Sequence, residues 1–296
     1  MNFLLCPIGD TKTGKYLWIM MKKLPKLPIF PLRFVKNSII MEETILAEEA
    51  HIMGELIAIA SGKGGTGKTS ICAGVATALA EMGERVLCID CDVGLRNLDI
   101  SLGLSQEGAV SFLDVMQGRY PLEAALRHPG YENLCFLTAP MSCPADSIDP
   151  ALFSGLLQQA RQSFAYVLLD APAGVDAGFR LAVRDADRVL LVCGADPASV
   201  RDAQLTGQML EIMGKQEMRL IVNRVNKKIA ASLGKTVDDI MDTAGLPLMG
   251  VVPEDPQVTL RAAYGKPLLE KNKRMAAAAC RRIAKRIKGY RVPIDI

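Results

Sequence analysis

Residues 61–70 read SGKGGTGKTS. Glycines at 62, 64, 65 and 67 are interleaved with two lysines, Lys63 and Lys68. Glycine opens turn conformations that let several backbone N–H groups converge on one anion. Gly62-Lys63-Gly64-Gly65-Thr66-Gly67-Lys68-Thr69 fits the G-x-x-x-x-G-K-[ST] spacing of a phosphate-binding loop. In such a loop Lys68 pairs with the β- and γ-phosphates of ATP. Thr69 ligates Mg²⁺ through its hydroxyl, and Ser70 reaches the α-phosphate. A phosphate loop needs only one lysine, so Lys63 is surplus to that chemistry.

Carboxylates complete the set. Asp170 ends the apolar run AYVLLD, where a P-loop enzyme places the acid that serves Mg²⁺. Asp90 and Asp92 lie in IDCDVGLRNLD, after the run RVLCID. One can orient or deprotonate an attacking water; the other can hold the water shell of Mg²⁺. The two histidines, His51 and His128, are expected outside this cleft, which argues against histidine catalysis. Cys88 and Cys91 form a C-x-x-C inside an apolar run. A zinc site would need a second pair, and none is spaced for it, so these thiols read as strand packing.

These residues need a scaffold that brings loop ends together. ELIAIA precedes the loop as a buried strand, and GKTSICAGVATALAEMG follows it as a helix ending near Gly83. Further strands are expected at RVLCID, 133–139, AYVLLD, DRVLLVCG, MRLIVNRV and PLMGVVP. Helices are expected at 149–163, 197–213 and 269–288. Alternating strands and helices predict an α/β fold: a mostly parallel sheet with helices on both faces, the P-loop NTPase architecture. Ligands then sit at the carboxyl ends of the strands. The composition agrees: 50% hydrophobic, 5% aromatic, 23% charged over 296 residues. A net charge of +3 is too small to imply a polyanionic partner by itself. Eight scattered cysteines suit a cytoplasmic protein with reduced thiols. No apolar run is long enough for a spanning helix.

Residues 1–52 break the pattern. MMKKLPKLPIFPLRF carries prolines at 25, 28 and 31 and no helical or strand period. The segment is expected to be an irregular extension, explained by an upstream start, with a single ATPase domain over 53–296. A membrane-surface arm, from its alternating basic and apolar residues, is the other reading.

KGGTGKT, CIDCDVGLRNLDISLG, LLDAPAGVDAGF, PASVRDAQ and GVVPEDPQV, in this order, resemble the MinD/ParA family of deviant Walker A ATPases, on its division-site branch. The resemblance runs from about 55 to 288. It implies an ATP- and Mg²⁺-dependent switch that dimerises with nucleotide sandwiched between subunits and helps to place the division septum. Lys63 would be the signature lysine, reaching the phosphates held by the partner subunit. Asn223 and Arg224 would contact adenine, with Pro253 and Glu254 flanking the base. Asn97 and Asp99 would lie in the switch after Asp92. Ala171 departs from the hydroxyl residue more usual after the Mg²⁺ aspartate. Partners of the MinC and MinE kind are implied. The alternative is a ParA-like ATPase acting on DNA or another cargo, in partition or flagellar placement. An iron–sulfur scaffold ATPase would need a C-x-x-C near the C-terminus, which this sequence lacks.

The C-terminal stretch departs from the division-site branch. The family's terminal amphipathic membrane helix is expected to be absent or much reduced. Ala276, Cys280, Ile283 and Ile287 share one helical face, needed for packing. The basic set Arg281, Arg282, Lys285, Arg286, Lys288 and Arg291 then reads three ways: a solvated face, a site for anionic headgroups at the cytoplasmic membrane face, or a contact for DNA phosphates.

Overall fold

The computed structural model describes residues 33–35, 38–40, 53–105, 107–141, 143–226 and 236–294. The chain divides into two units, Met1–Ile52 and Met53–Ile296. In the first, β1 (Arg33–Val35) and β2 (Ser38–Ile40) form an antiparallel pair, which the patternless reading of this stretch did not anticipate. The rest of the expectation for 1–52 lies outside the described residues.

In the second unit eight strands form one sheet. They are β3 (Glu55–Ala60), β4 (Val86–Asp90), β5 (Leu126–Arg127), β6 (Leu134–Leu137), β7 (Tyr166–Asp170), β8 (Arg188–Gly194), β9 (Met218–Val225) and β10 (Leu248–Pro253). Their order is β10-β9-β8-β3-β7-β4-β6-β5, parallel throughout except for the antiparallel edge strand β5. Burial explains the sequence pattern. β4 is buried at every position, and β3 everywhere except Glu55, because helices cover both faces. Leu56, Ala58 and Ala60 enter one apolar layer; Ile57 and Ile59 enter the other.

One layer is closed by α1 (Lys68–Glu81) and α9 (Met275–Ile287). The other is closed by α4 (Pro150–Ser163), α5 (Ala177–Arg184), α6 (Pro197–Ile212) and α7 (Val237–Ala244). Short helices α2 (Leu98–Leu102), α3 (Phe112–Met116) and α8 (Pro256–Ala263) fill the connections. Helices α4, α6 and α8 start alike: Asp149, Asp196 and Asp255 accept first-turn N–H groups, and a proline follows each.

The last helix starts later than expected, at Met275 rather than 269. Pro267 opens a turn in which Glu270 N–H donates to the Pro267 carbonyl. Asn272 and Asp255 then accept from the N–H groups of Arg274 and Ala276, which defines the new start. The expected face is buried: Ala276, Cys280, Ile283 and Ile287 all pack inward. α9 crosses α1 closely, for a Cβ at Gly74 would stand 2.6 Å from the Cys280 Sγ.

Candidate nucleotide site

β3 delivers the chain into the phosphate loop, and α1 takes it away. Gly67 has φ 86°, a left-handed turn that suits glycine, and it precedes the first residue of α1. Unlike α4, α6 and α8, α1 has no side-chain cap. Its first-turn N–H groups, with the positive end of the helix dipole, are left for an anion.

The two ends of the loop are packed and its middle is open. A Cβ at Gly62 would lie 2.8 Å from the Asp202 carbonyl oxygen of α6. One at Gly67 would collide with the Asn223 amide. Cβ atoms at Gly64 and Gly65 would meet nothing within 4 Å. Thr66 Oγ1 is buried and has no hydrogen-bond partner among the described residues. An orphaned hydroxyl inside an anion cradle fits a phosphate oxygen as its missing partner.

The loop's two lysines are held differently. Lys68 Nζ donates to Asp170 Oδ1 at 2.8 Å, with side chains 7% and 1% exposed. It stands 3.5 Å from Thr69 Oγ1. Burial is the largest single influence and works against the ammonium, but the Asp170 charge, its hydrogen bond and the neighbouring acids together raise the Lys68 pKa above its ordinary value. Lys63 is half-exposed and reaches Asp196 at 3.6 Å and Asp202 at 3.9 Å, both exposed. Neither acid was singled out by the sequence as a partner of Lys63. The Asp-Pro pair at 196–197 was legible only as a helix start.

β4 and β7 end in register, with Asp90 opposite Asp170. Asp90 is fully buried. Its two oxygens accept from the N–H groups of Asp92 at 2.9 Å and Leu98 at 3.2 Å. Burial, then the neighbouring Asp170 charge, push its pKa up to about 6. Its geometry is that of a clamp on the 91–98 loop. Asp92 faces the same cleft half-buried, its pKa raised by burial and moderated by Lys68. Asn97 and Asp99 lie at the start of α2, in the stretch that Asp90 holds. His128 is buried against the Leu102 carbonyl, away from the phosphate loop. Ala171 is fully buried, and its N–H donates to Ile59 O, so the chain after Asp170 is held to the sheet without a hydroxyl.

Beside the loop lies a cleft of about 940 Å³. Gly67 and Ser70 line it from the loop, and Asn223, Arg224, Pro253 and Glu254 from the ends of β9 and β10. The volume suits a small-molecule ligand of nucleoside size. Val258, Leu268 and Met275 add apolar walls that sequence reasoning missed, because they come from α8, the turn before α9 and the first residue of α9. Asn223 Nδ2 donates to the Thr66 carbonyl at 2.8 Å. That bond uses the donor end of the amide; Oδ1 is its acceptor end, with no bond to another described residue.

Three cations of the basic set near the C-terminus are held by groups of this chain. Arg281 forms a bidentate pair with Glu81 at 2.6 and 2.8 Å. Arg286 donates to the carbonyls of Met249, Val292 and Pro293. Lys288 pairs with Glu84. Among the described residues no helix is long and apolar enough to cross a membrane.

Comparison with known proteins agrees with this geometry. The CobQ/CobB/MinD/ParA nucleotide-binding domain matches residues 57–268. The septum site-determining protein MinD of Bacillus subtilis is 35% identical over 249 residues, 82% of this chain and 92% of that protein. The MinD of Synechocystis is 35% identical over 81% of this chain and 92% of that protein. In the MinC:MinD cell division complex of Aquifex aeolicus, a chain 36% identical superposes with TM-score 0.77, covering 82% of this chain and 99% of that one. MinD of Pyrococcus horikoshii, solved with Mg-ADP, is 28% identical with TM-score 0.71, covering 79% and 96%. The P-loop, its buried lysine–aspartate pair and these matches together place the chain in the CobQ/CobB/MinD/ParA nucleotide-binding family, among its MinD-like P-loop ATPases.

Proposed function

We propose that the protein is an ATP-hydrolysing switch that dimerises on ATP and takes part in placing the division septum. The observation that carries this reading is the unequal holding of the two loop lysines. Lys68 is committed to the floor of its own site. Lys63 stands at the mouth on long, exposed ion pairs, which are worth only about 0–1 kcal/mol. Such a lysine can leave its own chain at little cost and serve the phosphates of a second copy.

The roles follow. Backbone N–H groups of Gly62 to Thr69 and the Thr66 hydroxyl cradle the phosphates, with Ser70 at the α-phosphate. Thr69 and Asp170 would hold Mg²⁺, which supplies charge neutralisation at the β- and γ-phosphates. Asp92 orients the attacking water. Asp90 fixes the loop that carries Asp92. The Asn223 acceptor faces the cleft and matches the amino group of adenine, with Arg224, Pro253 and Glu254 around the base. Lys63 from the partner subunit neutralises charge as it develops on the γ-phosphate. Hydrolysis then requires the dimer and ends it. A MinC-like effector and a MinE-like activator are the partners this reading calls for, and the cytoplasm is its compartment. The ParA-like alternative loses ground, since Arg281, Arg286 and Lys288 of the basic set it would use are engaged within the chain.

Lys63→Ala tests the reading. It should bind ATP with Mg²⁺ within about twofold of the wild type, while turnover falls by about a thousandfold or more, the usual loss for a trans-acting cation. Sedimentation of the wild type should show dimer with ATP and monomer with ADP. Unchanged turnover in Lys63→Ala would sink the cross-subunit role.

A further inference from the structure

Resting on the nucleotide reading above, we infer that Asp255 is a positioning residue for the base side of the cleft: its one carboxylate pins, at both ends, the chain segment that walls the base. Asp255 is 8% exposed and lies just after β10. Its Oδ1 accepts from the Gln257 N–H at 2.9 Å, and its Oδ2 from the Ala276 N–H at 3.2 Å. Between those two N–H groups runs the stretch that brings Val258, Leu268 and Met275 to the cleft.

In α4 and α6 the capping aspartates, Asp149 and Asp196, accept from Ala151 and Ser199 of the helix they start. Asp255 does the same for α8 with one oxygen and crosses to α9 with the other. Two features give that second bond its weight. No residue of α8 is buried, so apolar burial does little to place this helix. Met275, the first residue of α9, has φ 45°, a left-handed backbone that a residue with a side chain keeps only where its surroundings impose it. The bond from Asp255 to the very next N–H is such a constraint. Both carboxylate oxygens serve helix starts, where negative charge is favoured, so Asp255 acts on the wall and not on the ligand. Neither of these bonds reaches residues 62–70, so its effect should fall on the base and spare the phosphates.

The test uses the full chain, with ADP and pyrophosphate each titrated calorimetrically in Mg²⁺, directly or by competition. Asp255→Ser keeps a cap for α8 and is too short to reach α9. It should weaken ADP about tenfold, because the wall must then be ordered on binding, and pyrophosphate by less than about twofold. In hydrogen exchange the Ala276 amide should lose protection while the Gln257 amide keeps it. Asp255→Asn keeps the volume but offers one acceptor to two N–H groups. It should weaken ADP about threefold, with pyrophosphate unchanged, and it carries the test if Asp255→Ser does not fold. Arg281→Ala removes bonds of α9 that do not involve Asp255 and should leave ADP affinity as in the wild type. Equal losses for ADP and pyrophosphate, unchanged ADP affinity in the Asp255 variants, or a matching ADP loss in Arg281→Ala would each overturn the assignment. A wild type that binds neither ligand would instead remove the nucleotide reading on which it rests.

Discussion

The phosphate loop and α9 are both rich in cations, and they treat them in opposite ways. In α9, Arg281 is pinned by two oxygens of Glu81 and also donates to the carbonyls of Asn272 and Leu269. Arg286 laces the chain end to β10 through the Met249 carbonyl. These cations are structural. In the loop, Lys63 sits on long exposed pairs, and Lys68 on the buried Asp170, the carboxylate proposed to hold Mg²⁺. A count of basic residues does not separate the two cases. What separates them is whether the partner is backbone and bidentate carboxylate, or a group that has another task.

Breaking each kind of contact should therefore give different readouts. The largest effect is expected at Lys68→Ala. Nucleotide binding should become undetectable by calorimetry, and the fold should lose about 3 kcal/mol because Asp170 is left buried without its partner. Retained tight ATP binding would reassign the phosphate lysine. Arg281→Ala should cost about 2 kcal/mol in urea unfolding, the scale of lost charge-assisted hydrogen bonds. Its nucleotide affinity should match the wild type; a parallel loss of binding would erase the contrast between the regions.

A smaller effect is expected from pH. His128 accepts from Gly130 N–H at Nδ1 and meets the Leu102 carbonyl at Nε2, so its neutral form is the one built in. Burial lowers its pKa, against the Leu102 bond and the more distant Glu270 charge. The unfolded chain then takes up the proton first. Stability from this residue is lost as pH falls below about 6.5 toward the lower folded value. Asp90 acts in the opposite sense: with a folded pKa of about 6, it adds stability as pH falls through that value. Urea midpoints at pH 7.5 and 5.5 should therefore drop more in the wild type than in His128→Gln. The smallest effect is expected for Lys63→Ala on stability, below about 0.5 kcal/mol, because its pairs are exposed.

Much of the site was legible because its signals are local. A strand, a glycine-spaced loop and a helix follow one another without a break from Glu55 to Glu81, and Asp170 closes an apolar run. The long buried strands were legible for the same reason. What escaped was set by contacts across the fold. α2, α3, α5, α7 and α8 have eight residues or fewer, too short for their period to stand out. The start of α9 depends on Asp255, twenty-one residues upstream of the N–H it receives. Asp90 and Asp92 look equivalent in IDCDV, yet only burial makes one a clamp and leaves the other facing the cleft. Asn223 was expected at the base alone; its bond to the Thr66 carbonyl is visible only once β9 lies beside the loop.

The packing of Gly62 and Gly67 has a dynamic consequence. With α6 against one end and Asn223 against the other, the loop is a span between two fixed abutments. The open stretch is Gly64 and Gly65, and amide order parameters should dip there and recover at Gly62 and Gly67. Ligand arrival then quenches the motion of a short open stretch instead of a whole loop. The entropy lost on binding is correspondingly small, and the span keeps enough freedom to let Lys63 swing outward.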